Sequence, residues 1–335
     1  MLTSPQSAEL NEVAGAGKKR LDIRSLRHLE FSLGLGRETL ESAALSADNL
    51  YSPFPKPDRI RPFQKKFKTS NPRLIDNPVE PLRTIQKRIQ TRLLANINLP
   101  YYLCGGVKGR TLLDNVTMHL DAPIIVTVDI KNFFPSIDNR MVYQVWKDLL
   151  GCSAEVAALL TRLTTRTHYL PQGSSTSTML ANLVLYSCDK PIREVCNRYG
   201  VSYSTWVDDL AFSGRHARSV LPIVITTLRK AGFGISRHKI KIMPRGTRQE
   251  LNGILLGKFP SVLPERIKQL RSGIHKLTTG EVPLIARARY VDQLRASIAQ
   301  VSSINAAKGK HLRDQLKDAT SLLSSKPIHF GSLHA

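Results

Sequence analysis

Ile124 to Val128 is an uninterrupted β-branched run, and it ends in an acid, Asp129. β-branched side chains favour extended backbone, and a strand without polar alternation has both faces covered. The run therefore predicts the central strand of a sheet buried inside a layered fold. The downstream sequence constrains that fold further. Helices are expected from about Asp138 to Leu149, over 153–166, and from Met179 to Tyr199. YSTWVDDLAFSG then reads as two short strands around a tight turn at Asp208 and Asp209. After a helix over about 219–231, ISRHKIKIMP reads as one strand and LNGILLG as another short one. Strand, helix, strand, strand in this order predicts an α+β fold of the split β-α-β (ferredoxin-like) kind.

In that fold the end of the first strand and the tip of the hairpin meet, although they are far apart in sequence. Asp129, Asp208 and Asp209 would then crowd one spot. Carboxylates that close repel one another unless cations neutralise them. Oxygen-only ligands suit Mg²⁺, with Mn²⁺ as a substitute. Two such ions form the clamp used in phosphoryl transfer. Each piece alone has a plainer reading: an Asp-Asp pair makes a good turn, and Asp129 could cap a strand end. Their joint occurrence favours the catalytic reading.

Charge points the same way. The 335 residues hold 49 Lys+Arg against 26 Asp+Glu, a formal charge of +23. A surplus of that size implies a polyanionic partner, most often nucleic acid. It begins in FQKKFKTSNPRLID, read as two strands around a polar turn, and continues into a helix, VEPLRTIQKRIQTRLLANI. That helix presents either a solvated face or side chains that reach phosphates. A hydrophobic content of 41% excludes a wholly disordered chain. No apolar run is long enough for a membrane span, and MLTSPQSAEL does not read as a secretory signal. The four cysteines form no CxxC pair, so a reducing, cytoplasmic setting is expected.

Residues 1–20 read as a loose arm. Leu21, Ile23, Leu26, Leu29 and Phe31 recur at helical spacing. Gly34 to Gly36 break the pattern before a second helical stretch with Leu40 and Ala44 on one face. The Pro-punctuated YSPFPKPDRIRPF is unlike a helix, and beyond Lys258 the pattern is helical.

VDIKNFFPSI, PQGSSTSTMLANLVL, STWVDDLAFSG and AGFGISRHKIKI, in that order and spacing, resemble the successive palm motifs of bacterial reverse transcriptases. VKGRTLLDNVTMH and the helical stretch LRHLEFSLGLGRETLESAALSADNLYSPFPKP resemble the corresponding segments of retron and retron-like enzymes. The resemblance covers roughly residues 25–260. It implies a right-hand polymerase: an N-terminal helical region (1–50), basic fingers (51–120 with 140–170), a palm (121–260) and a helical thumb (261–335). It implies that Asp129, Asp208 and Asp209 bind the metal ions, joined by the backbone of Ile130. Phe134 would lie under the sugar and exclude a 2′-hydroxyl, although Phe133 and Phe134 could both be core. Gln172 and Gly173 would border the incoming dNTP, or simply start a helix. Lys66 (or Lys65) and Arg73 would neutralise the triphosphate. Lys239 would lie near the leaving pyrophosphate, or on the surface.

Two departures stand out. Trp206 takes the place of a tyrosine two positions before the Asp pair, keeping a flat ring for the primer end. Leu251-Asn252-Gly253 replaces the Val-Thr-Gly common in retron enzymes, which puts recognition of a retron-type RNA by Asn252 and Gly253 in doubt. The implied activity is RNA-directed DNA synthesis from dNTPs, on a structured non-coding RNA that serves as template and primer. An RNA–DNA hybrid is the bound duplex. The implied setting is a bacterial cytoplasm, in anti-phage defence with an effector protein on another chain. The alternatives are a non-retron defence reverse transcriptase, protein-primed or oligomeric, and a catalytically silent RNA-binding scaffold. An RNA-dependent RNA polymerase shares the palm logic, but Phe134 weighs against it.

Overall fold

The structure, a computed structural model, describes residues 20–55 and 74–325. The expected N-terminal arm, Lys65, Lys66 and Arg73 therefore lie outside the described residues. Two compact units divide the chain, and their described parts are 20–55 with 74–247, and 248–325.

In the first unit, β1 (Tyr51–Pro55) pairs antiparallel with β2 (Leu74–Pro78). The β-branched run is β3 (Ile124–Lys131), and adjacent residues that point to opposite faces, Ile125 and Val126, are both buried. The strand is thus covered on both sides, which explains its lack of alternation. β4 (Ser202–Trp206) and β5 (Asp209–Ser213) form the expected hairpin. β5 lies antiparallel between β4 and β3, so β3 and β4 are parallel and separated by one strand. This is the split β-α-β arrangement.

The other edge of β3 carries β6 (Gly234–Ile235) and β7 (Lys241–Pro244) in succession. The sequence predicts a single strand over 235–244. That strand is interrupted by a helical turn, Arg237–Lys239, because Ser236 N–H donates to the carbonyl of Asp129 (3.0 Å) and the chain turns there.

The helix expected over 179–199 is two helices, Ser177–Cys188 and Lys190–Arg198. The break is at Asp189, whose buried carboxylate accepts from Arg193 Nε (2.8 Å) and the Tyr203 hydroxyl (3.4 Å). Pro191 sits in the first turn of the second helix, where its missing N–H costs nothing. The first of the pair is apolar nearly all round and runs through the core.

The basic segment after β2 is helical over Leu82–Arg88 and continues irregularly to Asn96. Part of its charge has a structural task. Arg88 donates to the carbonyls of Leu33 (3.1 Å) and Gly34, and Arg92 to that of Ser32 (3.5 Å), at the C-terminus of helix Leu26–Leu33. Cations there complement the helix dipole.

In the second unit, β8 (Glu250–Leu251), β9 (Ile254–Leu255) and β10 (Ser261–Val262) form a small antiparallel sheet. LNGILLG, expected to be one strand, folds back on itself. Asn252 (φ 52°) and Gly253 (φ 81°) are both left-handed, as a two-residue hairpin turn of this hand requires. Helices Pro264–Thr278, Leu284–Ile304 and Ala306–Ser325 complete the unit. They share a core that includes Leu270, Ile274, Leu294, Ile298, Leu312 and Leu316. No helix among the described residues is long and apolar enough to cross a membrane.

Candidate active site

Sheet register builds the site. Asp129 is cross-strand partner of Asp209, which in turn faces Trp206. Val207 and Asp208 make the turn between β4 and β5, and Val207 takes φ 61°. A β-branched residue rarely adopts that conformation, so the surroundings must hold it. Two observations identify what does. Ile130 N–H donates to the carbonyl of Asp208 (3.0 Å), which ties the tip to the end of β3. On the other side Leu103 lies beside Thr205 as an added parallel bridge, with Cys104 N–H on Thr205 O (3.0 Å) and Thr205 N–H on Tyr102 O (2.8 Å). Gly105 then passes so close that a methyl there would stand 2.6 Å from Val207 Cγ2 and 2.9 Å from the carbonyl carbon of Trp206.

The electrostatics are those of crowded anions. The Asp209 carboxyl is pushed up to about 6, first by burial, then by Asp208 and Asp129, with Lys239 and Lys241 pulling the other way. Lys239 is exposed yet paired. Its ammonium donates to both Asp129 oxygens, at 3.0 and 2.8 Å. No group of three or more His, Cys, Asp or Glu among the described residues is gathered as a finished metal cage. The donor set nevertheless fits a hard divalent cation: it is all-oxygen, and burial together with the neighbouring Asp208 and Asp129 disfavours an unneutralised charge on Asp209.

The structure separates the two phenylalanines. Phe133 is core, packed on Phe233 with ring centroids 5.6 Å apart, whereas Phe134 is half-buried. Gln172 and Gly173 lie in a loop against β2, and Gly173 is exposed with φ 137°. Asn252 and Gly253, in the second unit, have the turn as their observed task.

The sequence from 55 to 257, more than half of the chain, matches the family described as reverse transcriptase (RNA-dependent DNA polymerase). The chain belongs to the reverse transcriptase family. Among its curated relatives, it is 30% identical to the retron Se72 reverse transcriptase of Salmonella heidelberg over 191 residues, 57% of this chain and 48% of that one. To the retron Ec86 reverse transcriptase of Escherichia coli it is 22% identical, over 92% of this chain and 93% of that one. To the retron Mx162 reverse transcriptase of Myxococcus xanthus it is 26% identical, over 76% and 60% respectively. The chain thus spans about half the length of the Se72 protein and nearly all of the Ec86 protein.

Some residues that shape this candidate site were not singled out by sequence reasoning. Asp76, Gln86 and Arg166 hold the Gln172 loop, and Gly105 abuts the Asp208 turn. His119 is fully buried behind the hairpin, between Ser204 Oγ (2.6 Å from Nε2) and Ser213 Oγ (2.7 Å from Nδ1). Ser204 Oγ also accepts from Asn115 Nδ2 (2.8 Å), so the imidazole sits in a buried polar network behind the hairpin. Only the Gly105-Gly106 dipeptide gave a signal in sequence, since paired glycines mark close backbone approach.

Proposed function

We propose that the chain is a retron-type RNA-directed DNA polymerase, which extends a primer with dNTPs on an RNA template and releases pyrophosphate. The observation that carries this reading is the register of Asp129 against Asp209, with Asp208 at the adjoining turn, in a member of the reverse transcriptase family. Asp129, Asp208 and Asp209, with the backbone of Ile130, would hold two divalent ions, Mg²⁺ by the hardness of the donors. Such ions, when bound, lower the pKa of the attacking 3′-hydroxyl and neutralise charge on the transferring phosphate.

The chain's own residues do the rest. The strand register fixes the spacing of Asp129 and Asp209. Ile130 N–H fixes Asp208 through its carbonyl. Lys239, paired with Asp129, would be the cation nearest the reacting phosphates, leaving Asp129 for a pyrophosphate oxygen. Phe134, half-buried against the core, would supply the ring that leaves no room for a 2′-hydroxyl. Trp206, beside Asp209 in register, offers a flat face to the primer end. Lys66 and Arg73 complete the proposal as triphosphate ligands from the fingers. Positive charge elsewhere grips an RNA–DNA duplex through its phosphates with little regard to sequence.

The finer reading is a short cDNA linked to a structured non-coding RNA, made in the cytoplasm for anti-phage defence with an effector protein on another chain. Its test is to purify the chain from its native host and sequence the bound nucleic acid with and without RNase. A defined cDNA joined to one structured RNA supports the retron type. DNA with no linked RNA, or DNA attached to the protein, overturns it in favour of another defence lineage.

A further inference from the structure

Strand β2 and the Gln172–Ser174 loop are joined by more bonds than a helix-start loop needs. Asp76 N–H donates to Gln172 O (2.8 Å), and Gln172 N–H donates back to Asp76 Oδ2 (3.3 Å). The other carboxylate oxygen takes the guanidinium of Arg166. That guanidinium lies over the ring of Tyr51, 5.3 Å from its centroid. The Tyr51 hydroxyl accepts from Gln86 Nε2 (2.8 Å), and Gln86 Oε1 accepts from Ser174 Oγ (2.8 Å). Asp76 is only 6% exposed and Gln86 is fully buried. The loop is therefore gripped at both ends, Gln172 by Asp76 and Ser174 by Gln86.

Between the grips, Gly173 is pressed on β2. A methyl there would stand 2.6 Å from Ile75 Cγ2 and 2.8 Å from Asp76 O. The loop also has a packed route to the catalytic turn. Thr178, in the first turn of the next helix, touches Gly106, and a methyl on Gly106 would lie 3.2 Å from Thr178 Cβ. Asn182 of the same helix donates to Gly105 O (2.9 Å), and Gly105 abuts Val207. Strand β2, the loop and the Asp208 turn are thus one continuous packed body with Asp76 at its far end.

We propose that Asp76 is a positioning residue for the incoming nucleotide. With Arg166 and Gln86 it locks the Gln172–Gly173 loop to β2, so that the loop presents one fixed edge to the dNTP. This rests on the polymerase reading above and on the place of the loop in it. The alternative role for Asp76 is as half of a buried ion pair that merely stabilises the fold. The two differ in what the Gln172 N–H requires. A positioning role needs an acceptor at position 76; a merely structural one needs only that no charge be left unpaired.

The test removes the ion pair as a unit in the full-length chain, because Asp76→Ala alone would strand the Arg166 charge. Asp76→Ala/Arg166→Met deletes the acceptor, and Asp76→Asn/Arg166→Met keeps one. Ser174→Ala loosens the other grip without touching a charge. Steady-state dNTP kinetics on a primed RNA template are read beside the affinity for that template. A loop displaced by about 1 Å predicts a dNTP KM raised about tenfold or more in the Ala/Met variant. Template affinity is unchanged, most of the KM is restored in the Asn/Met variant, and a smaller KM rise appears in Ser174→Ala. The positioning role is overturned if the wild type polymerises and KM is unchanged in all three. It is also overturned if the Ala/Met and Asn/Met variants behave alike, or if template affinity falls in step with KM. A wild-type chain that incorporates no dNTP overturns the polymerase reading, and this role with it.

Discussion

Gly105→Ala should impair catalysis through geometry alone, since position 105 carries no chemistry. The added methyl would meet Val207 Cγ2 at 2.6 Å and the carbonyl carbon of Trp206 at 2.9 Å, and it would crowd the Val207 nitrogen. Backbone atoms cannot rotate away as a side chain can. Two of the three contacts are backbone, so either residues 103–106 or the hairpin tip must move. Residues 103–106 are held by Cys104 N–H on Thr205 O, Thr205 N–H on Tyr102 O and Asn182 Nδ2 on Gly105 O, all within 3.0 Å. The tip is held by Val207 in a left-handed conformation that already costs on the order of 1 kcal/mol. Overpacking of this kind costs about 1–3 kcal/mol, and the strained tip is the softer side. A carboxylate pair shifted by about 1 Å predicts a roughly hundredfold fall in kcat for primer extension. Thermal unfolding should show a lower Tm, and Gly36→Ala, where nothing lies within 4 Å of the new methyl, is the activity control. Wild-type kcat and Tm together in Gly105→Ala would refute the account of how the Asp208 turn is held.

The same geometry gives three further expected outcomes. Burial holds the His119 imidazole down at about 4, so it is neutral in the fold but protonates near 6.5 when unfolded. Stability owed to it is intact above about 6.5 and is lost as pH falls toward 4, by about 3 kcal/mol in all. The stability difference between wild type and His119→Asn, measured by denaturant unfolding, should therefore shift against the wild type over that window; a pH-independent difference refutes it. Phe134→Ala should raise incorporation of rNTPs relative to dNTPs by roughly ten- to a hundredfold, read from competition in primer extension. Unchanged selectivity would return Phe134 to the core with Phe133. Asn252→Gly preserves the left-handed turn and should leave RNA affinity as in the wild type. Lost RNA affinity in an intact fold would give Asn252 a contact with RNA.

The central strand was legible because a continuous β-branched run has one low-energy home, a doubly covered strand. The Asp-Asp hairpin was legible because alternation and a tight turn are local signals. From those two the meeting of Asp129 with the Asp208–Asp209 tip followed, and the structure adds the register of Asp129 against Asp209. The breaks were less legible because their causes are tertiary. Asp189 ends a helix by finding Arg193 and Tyr203, which periodicity cannot foresee. The strand after Gly234 splits because Ser236 bonds back to Asp129, bringing Lys239 to the carboxylate. Asn252-Gly253 is the opposite case. It is a strong local hairpin signal, yet the short flanking apolar runs also suited a single strand. Asp76, Gln86 and Arg166 were hidden because a polar residue in a basic segment looks solvent-facing until its partners, distant in sequence, are placed.

The most direct measurement is template-dependent dNTP incorporation by Asp129→Asn, Asp208→Asn and Asp209→Asn, each beside the wild type, with retention of RNA measured on the same preparations. Asparagine keeps size and hydrogen bonding but removes the charge that a divalent cation needs. Incorporation should fall by at least about a thousandfold in each variant, as expected when charge stabilisation of the transition state is lost, while RNA retention stays at the wild-type level. Incorporation that survives in Asp209→Asn, or RNA lost together with activity in all three, would contradict a phosphoryl-transfer centre built on these carboxylates.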